Sequence, residues 1–106
     1  YVARELGKRR IAFICARESV GPHRLGPALK KQFGGIYVAN EAHTRDTAEQ
    51  LLRAGEADAV AFGRLFIANP DLPRRFAQNA PLNSPVPETF YASGPEGYTD
   101  YPALPD

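Results

Sequence analysis

Three short apolar runs, Ile11 to Ala16 (IAFICA), Ile36 to Ala39 (IYVA) and Ala59 to Phe62 (AVAF), divide a chain whose other segments are mixed in polarity. The runs are continuous instead of alternating, the pattern of strands buried on both faces. Between them the apolar residues recur at three- and four-residue spacing. Tyr1 to Leu6 carries Val2, Ala3 and Leu6 and reads as the last turns of a helix that Gly7 ends. Leu25 to Phe33 reads as a short helix with Leu25, Leu29 and Phe33 inward and Gly34-Gly35 closing it. Thr44 can cap the next helix, TRDTAEQLLRAG, whose inner stripe is Ala48, Leu51 and Leu52 and whose C′ residue is Gly55. A further helix over Leu72 to Gln78 follows the start signal Asn69-Pro70-Asp71.

Strand, helix, strand, helix, strand, helix predicts parallel strands joined by right-handed crossovers. Helices cover one face of such a sheet, so the second apolar face needs further side chains, and the two outer strands leave open edges. Closure into an eight-stranded barrel of roughly 250 residues satisfies both requirements. The expected fold is therefore α/β: the C-terminal three βα units of a (β/α)8 TIM barrel over residues 1–80, followed by a tail over 81–106. In that tail Pro81, Pro85, Pro87, Gly94, Pro95 and Gly97 preclude regular structure. Phe90, Tyr91, Tyr98 and Tyr101 are too many aromatics for a free linker, and packing under a loop is the default for Tyr98 and Tyr101.

Composition narrows the class. With 43% hydrophobic residues and a formal net charge of +1, the chain is globular and carries no basic footprint for nucleic acid. No run reaches the length of a membrane span, and the N-terminus lacks the apolar core of a signal peptide. A lone cysteine, Cys15, excludes an internal disulfide and suits a reducing compartment, so the expected location is cytoplasmic. Tyr1 falls in mid-helix pattern and the chain has no Met, which reads as a piece of a longer polypeptide.

The chemistry concentrates at strand ends. Gly63 and Arg64 follow the third strand, where glycine lets a backbone N–H approach an anion and arginine offers a fork of donors. Ala39-Asn40 stands in the same relation to the second strand. Loops after the last strands of a barrel are where such folds commonly hold a phosphate. His23 and His43 lack ligand-like spacing and point to no metal, and Cys15, mid-strand and packed, has no cationic neighbour to make it a nucleophile. Glu18 is expected to pair with Arg17 or Arg24, whereas Asp46, Glu49 and Glu56 read as solvated surface charges. A Pro-rich tail returning across the phosphate-holding face would set Phe90 or Tyr91 against a bound ring.

FICARE, IYVANE, DAVAFGRLFIANPDLPRRF, PLN, TFY and EGYTDYP, taken in order and spacing, resemble the C-terminal part of the Old Yellow Enzyme family of flavin-dependent ene-reductases. The resemblance covers nearly the whole chain and implies a (β/α)8 barrel that binds FMN noncovalently. In that scheme FMN takes hydride from NADPH or NADH and passes it to the β-carbon of an alkene activated by a carbonyl or nitro group. The resemblance places the FMN phosphate against backbone groups of Ala39, Asn40 and Gly63 and the side chain of Arg64. Phe90 would lie near the flavin and Tyr91 in the substrate pocket. It also implies that the catalytic residues lie in an upstream part of the same barrel, with none in this chain. The pattern departs at Ala39 and Ala42, where many relatives have glycine, and at Cys15, where relatives often carry histidine. Two alternatives remain open at the level of sequence: a phosphate-binding barrel enzyme without flavin, and an inactive stand-alone fragment.

Overall fold

The apolar runs pair into one parallel sheet in the order β1 (Phe13–Arg17), β2 (Ile36–Asn40), β3 (Ala59–Ala61). In this computed structural model, which describes residues 1–106, the sheet belongs to the first of two units, Tyr1–Phe62, and the second is Gly63–Asp106. The register explains where the strands stop. Phe13 pairs with Ile36, so Ile11 and Ala12 have no residue of β2 beside them. Asn40 ends β2 opposite Ala61, so Phe62 is likewise left out.

In unit 1 the chain runs α1 (Val2–Lys8), β1, α2 (Gly26–Phe33), β2, α3 (Arg45–Arg53), β3. Tyr37 and Ala39 of β2 are buried with Leu51 of α3 and Ala57, and Ile14, Ala16, Leu29 and Val60 pack around them. These strand residues have the parity that faces the helices. The opposite parity is open: Phe13 is 55% and Ile36 54% exposed, and Cys15 is exposed with them. Cys15 is therefore not packed as the apolar run suggested, because its side of the sheet is the one that no helix covers. Asp58 ties the edge of the sheet to α2, accepting the Tyr37 amide at 2.8 Å and the Lys30 ammonium at 3.0 Å.

Capping agrees with the sequence at α3. Thr44 and Thr47 form a reciprocal box, the Thr47 amide donating to Thr44 Oγ1 at 3.2 Å and the Thr44 amide to Thr47 Oγ1 at 2.8 Å. Gly34 ends α2 in the left-handed conformation, φ 75°. Three details differ. Gly7 lies inside α1 instead of ending it, and a Cβ there would meet the Phe33 carbonyl oxygen at 2.3 Å, so glycine serves close approach to the end of α2. Leu25 precedes α2 and is 63% exposed. Leu52 is 42% exposed because the inner stripe of α3 runs through Ala48 and Leu51 alone.

Unit 2 comprises α4 (Arg64–Ala68), α5 (Leu72–Gln78), and a tail with one 3-10 turn, Pro87–Thr89. No periodic pattern announces the five-residue α4, and a helix of that length has little stability of its own. What holds it is polar. Asn69, fully buried, donates Nδ2 to the Leu65 carbonyl (2.9 Å) and the Asn83 carbonyl (3.2 Å), while its Oδ1 accepts the Asn83 amide (2.7 Å). Arg75, 5% exposed, donates to Asp71 Oδ1 (2.7 Å) and to the carbonyls of Pro81 (2.6 Å) and Pro102 (2.8 Å). Asn83 Nδ2 reaches the carbonyls of Ala68 and Pro102, both at 2.8 Å. Asp71 Oδ2 accepts the Leu104 amide at 2.8 Å, and Leu72, 1% exposed, supplies the apolar contact beneath. The tail is thus irregular yet fastened at residues 81, 83, 102 and 104. Tyr101 joins in by accepting the Val86 amide at 2.9 Å, whereas Tyr98, 81% exposed, does not pack as its aromatic character suggested.

The Asp71 carboxyl is held below the usual carboxylate range, first by the Leu104 amide and then by Arg75. A depressed folded value means that its stabilisation is present above the ordinary aspartate pKa and disappears as pH falls through the lower folded one. Amide exchange at Leu104, corrected for intrinsic rate, is therefore expected to accelerate on acidification below about pH 4. In Asp71→Asn that acceleration should vanish; an identical acid response in the variant would contradict the assignment.

Candidate functional site

Two places in the fold carry the residues singled out from sequence. In unit 1, Ala39 and Asn40 form the end of β2. Ala39 is 6% exposed with its methyl in the core, so only its backbone is available to a ligand. Asn40 is half-buried, its Oδ1 accepts the Glu41 amide at 2.7 Å, and its carbonyl accepts the Glu18 amide at 3.1 Å. Immediately beyond, Glu41 and Ala42 have φ of 93° and 56°. Two consecutive non-glycine residues in the left-handed region are rare, and such strain gathers at sites that need a particular backbone shape.

Charge at this strand end is arranged differently from the expectation. Arg17, closing β1, forms a two-point pair with Glu41, Nε to Oε2 at 2.6 Å and Nη2 to Oε1 at 3.1 Å, and Glu41 raises the guanidinium pKa further. Glu18 pairs with neither Arg17 nor Arg24. Its carboxylate accepts the amides of Leu25 and Gly26, the latter at 3.0 Å, because the β1–α2 loop turns the start of α2 back over the strand end. Arg24 instead meets Glu56 at 2.6 Å, so Glu56 is not a merely solvated charge. Asp46 and Glu49 stay on the exposed surface, Glu49 facing Arg53 at 3.4 Å.

The Arg24–Glu56 pair borders a cleft of about 310 Å3 that sequence did not reveal, lined also by Val20, His43, Thr47 and Leu51. His43 is 9% exposed, with Nδ1 3.4 Å from Thr47 Oγ1. Burial first, and the neighbouring Arg24 second, lower its pKa and favour the neutral ring. With its cation and carboxylate already paired, this cleft offers no unpartnered charge. The signal was the loop histidine, but nothing in the sequence paired Arg24 with Glu56 across the 31 intervening positions.

In unit 2, one open hollow of about 390 Å3 is lined by Gly63, Arg64, Ile67, Pro87, Phe90 and Tyr91. Four of the six residues assigned to a ligand site from sequence thus share one cavity. Gly63 has φ −87° and ψ −81°, and a Cβ there would meet nothing within 4 Å. Packing does not require glycine at this position, which leaves the space for a ligand atom. Arg64 is exposed and enters none of the ion pairs that engage Arg17, Arg24, Arg45, Arg53, Arg74 and Arg75. An open backbone beside an unengaged guanidinium is a donor set suited to phosphate. Phe90 is half-buried on the wall and Tyr91 fully exposed at the rim, so both rings offer apolar surface to a planar group. The residues present therefore fit a phosphate joined to an aromatic ring system, as FMN is.

No family model matches the chain. Among curated proteins it is 43% identical, over 98% of its length, to a putative 12-oxophytodienoate reductase 3 of Oryza sativa subsp. japonica, and 48% identical, over 90%, to 12-oxophytodienoate reductase 1 of the same plant. It spans 30% and 25% of those proteins. Among solved structures it superposes on the old yellow enzyme homologue of Zymomonas mobilis with TM-score 0.90, 45% identity and 96% of this chain covered, which is 31% of that one. Morphinone reductase in complex with tetrahydroNAD gives TM-score 0.92 at 42% identity over the whole of this chain and 30% of the other. The chain therefore spans about a third of the length of the proteins it matches.

The loop after β2 yields a stability prediction. Ala42→Gly removes about 1–2 kcal/mol of left-handed strain and adds about 0.5–1 kcal/mol of unfolded-chain entropy. The variant is expected to unfold at slightly higher urea concentration than the parent chain, and a lower midpoint would contradict the strain.

Proposed function

This chain belongs to the Old Yellow Enzyme family, carrying C-terminal βα units of its (β/α)8 barrel, and we propose that it is the phosphate-binding portion of an FMN-dependent ene-reductase. The observation that carries the reading is the hollow of unit 2, where Gly63, Arg64, Phe90 and Tyr91 come together. The names of the relatives agree with it: each is a reductase or an old yellow enzyme homologue, and one was solved with a nicotinamide analogue.

Arg64 and the Gly63 backbone would hold the phosphate; the backbone of Ala39 and Asn40, in unit 1, is added to the set by the family resemblance alone. A phosphate monoester carries nearly two negative charges at neutral pH. A bidentate guanidinium with convergent amides balances that charge more specifically than a point cation would. Phe90 would pack against the flavin and Tyr91 would line the pocket for the alkene. When bound, FMN supplies the redox chemistry, accepting hydride from NADPH or NADH and delivering it to an alkene conjugated to a carbonyl or nitro group. The side chains that anchor the alkene and donate the proton are assigned to the upstream part of the barrel, and the chain contributes position, charge balance and an apolar wall. No helix is long and apolar enough to cross a membrane; the cytoplasmic reading is supported by the lone cysteine, Cys15.

Quenching of FMN fluorescence on titration with the chain tests the reading. Arg64→Ala is expected to weaken binding by about tenfold or more, the scale of a lost charged hydrogen bond. Riboflavin, which lacks the phosphate, should bind weakly and be indifferent to the substitution. Equal affinity of Arg64→Ala and the parent chain for FMN would reject the phosphate role.

A further inference from the structure

The hollow at Gly63 is assembled from two stretches far apart in sequence, α4 with Arg64 and Ile67, and the tail with Pro87, Phe90 and Tyr91. What fixes the distance between them is not an apolar core. Phe90 is only half-buried, Tyr91 is 100% exposed, and Ile67 is 42% exposed. The fixed points are hydrogen bonds, and they converge on Asn69. Its amide group does two tasks. Toward α4 it donates to the Leu65 carbonyl, one of the orphan acceptors at the C-terminal end of a five-residue helix. Toward the tail it engages both backbone groups of Asn83, accepting from the N–H and donating to the C=O, as a paired strand would.

From Asn83 the constraint passes to the aromatic residues through a closed circuit. Asn83 Nδ2 and Arg75 Nη2 both donate to the Pro102 carbonyl, each at 2.8 Å. Tyr101, the residue before Pro102, accepts the Val86 amide at 2.9 Å. Val86 in turn accepts from the Thr89 amide at 3.0 Å and from Thr89 Oγ1 at 2.8 Å, winding the turn that ends at Phe90. No buried side-chain nitrogen or oxygen is left without a partner, so removing the Asn69 amide opens this circuit with no spare group to close it.

We infer that Asn69 is a positioning residue for the cofactor site: it sets the separation between the phosphate-side arginine and the ring-side aromatics of the hollow. The inference rests on the proposed flavin-phosphate reading and deepens it. Asn69 touches neither ligand part itself. Its loss should spare the phosphate contact that Gly63 and Arg64 make in the hollow, and should spoil the simultaneous fit of phosphate and ring.

The test compares inorganic phosphate with FMN on the full chain, following the amide resonances of Gly63 and Arg64 by NMR. In Asn69→Ala, phosphate affinity is expected to stay within about twofold of the parent, while FMN affinity falls by about fivefold or more as the ring contact is lost. Equal weakening for both ligands, or no change for either, would overturn the inference. Should Asn69→Ala not fold, Asn69→Asp carries the same comparison, since it keeps the oxygen that accepts the Asn83 amide and loses the two donated bonds. A second readout needs no ligand. The Phe90 ring, half-buried in the parent chain, should become more accessible to a paramagnetic co-solute in either variant while the Gly63 amide is unchanged, and an unaltered Phe90 would overturn the inference. If the parent chain bound neither phosphate nor FMN, the functional reading would fall, and the accessibility of Phe90 would still decide the role of Asn69.

Discussion

The Gly63–Asp106 unit depends on one device, a knot of buried amide and guanidinium groups built by Asn69, Asp71 and Arg75. Asn69 and Asp71 lie in the link between two helices of five and seven residues, and Arg75 in the second of them, both too short to persist alone. The tail they hold has no ladder of its own, so its backbone groups need other partners when covered. Arg75 donates to the carbonyls of Pro81 and Pro102, sharing the latter with Asn83 Nδ2. A buried cation is costly unless paired, and Asp71 supplies that pair at 2.7 Å while also accepting from Leu104. Removing either partner would leave the other as an uncompensated buried charge. This makes the knot a matter of conformational definition as much as of stability.

Unit 1 obeys a different constraint. Its three parallel strands bury one face under helices and leave Phe13, Cys15 and Ile36 uncovered on the other. A parallel sheet with one bare apolar face and two free edges is not a finished structure in physical terms. The match to barrel proteins, of which the chain spans about a third, accounts for that face as part of a barrel interior. The same geometry explains why the strand-end residues Arg17, Asn40 and Glu41 carry the polar groups of the open side. Strand ends in this architecture are where side chains and backbone turns are free to meet a ligand.

Much of this was legible in the sequence, and the limits are instructive. Strands appeared because continuous apolar runs have no other economical use, and α3 because Thr44 and Gly55 bracket a periodic stripe. The family resemblance was legible because its motif residues are held in fixed spacing by the knot: Asn69, Asp71, Asn83 and the Asp100-Tyr101-Pro102 segment lie where the network needs them. By contrast, α4 was invisible, since five residues give no period to detect. The partners of Arg24, Glu18 and Arg75 were also illegible, because charge pairing across loops depends on tertiary paths that local spacing does not encode. Cys15 was misplaced for a related reason: an apolar run does not say which of its two faces this chain covers by itself.

The proposed function stands on one anion held by the Gly63 backbone and the Arg64 guanidinium in the hollow of unit 2. A crystal structure of the chain grown with FMN tests it most directly. The phosphate is expected within hydrogen-bonding distance of the Gly63 backbone, with the Arg64 guanidinium donating to two of its oxygens. FMN bound elsewhere on the chain, or Arg64 directed into solvent with the phosphate ordered on other residues, would contradict it.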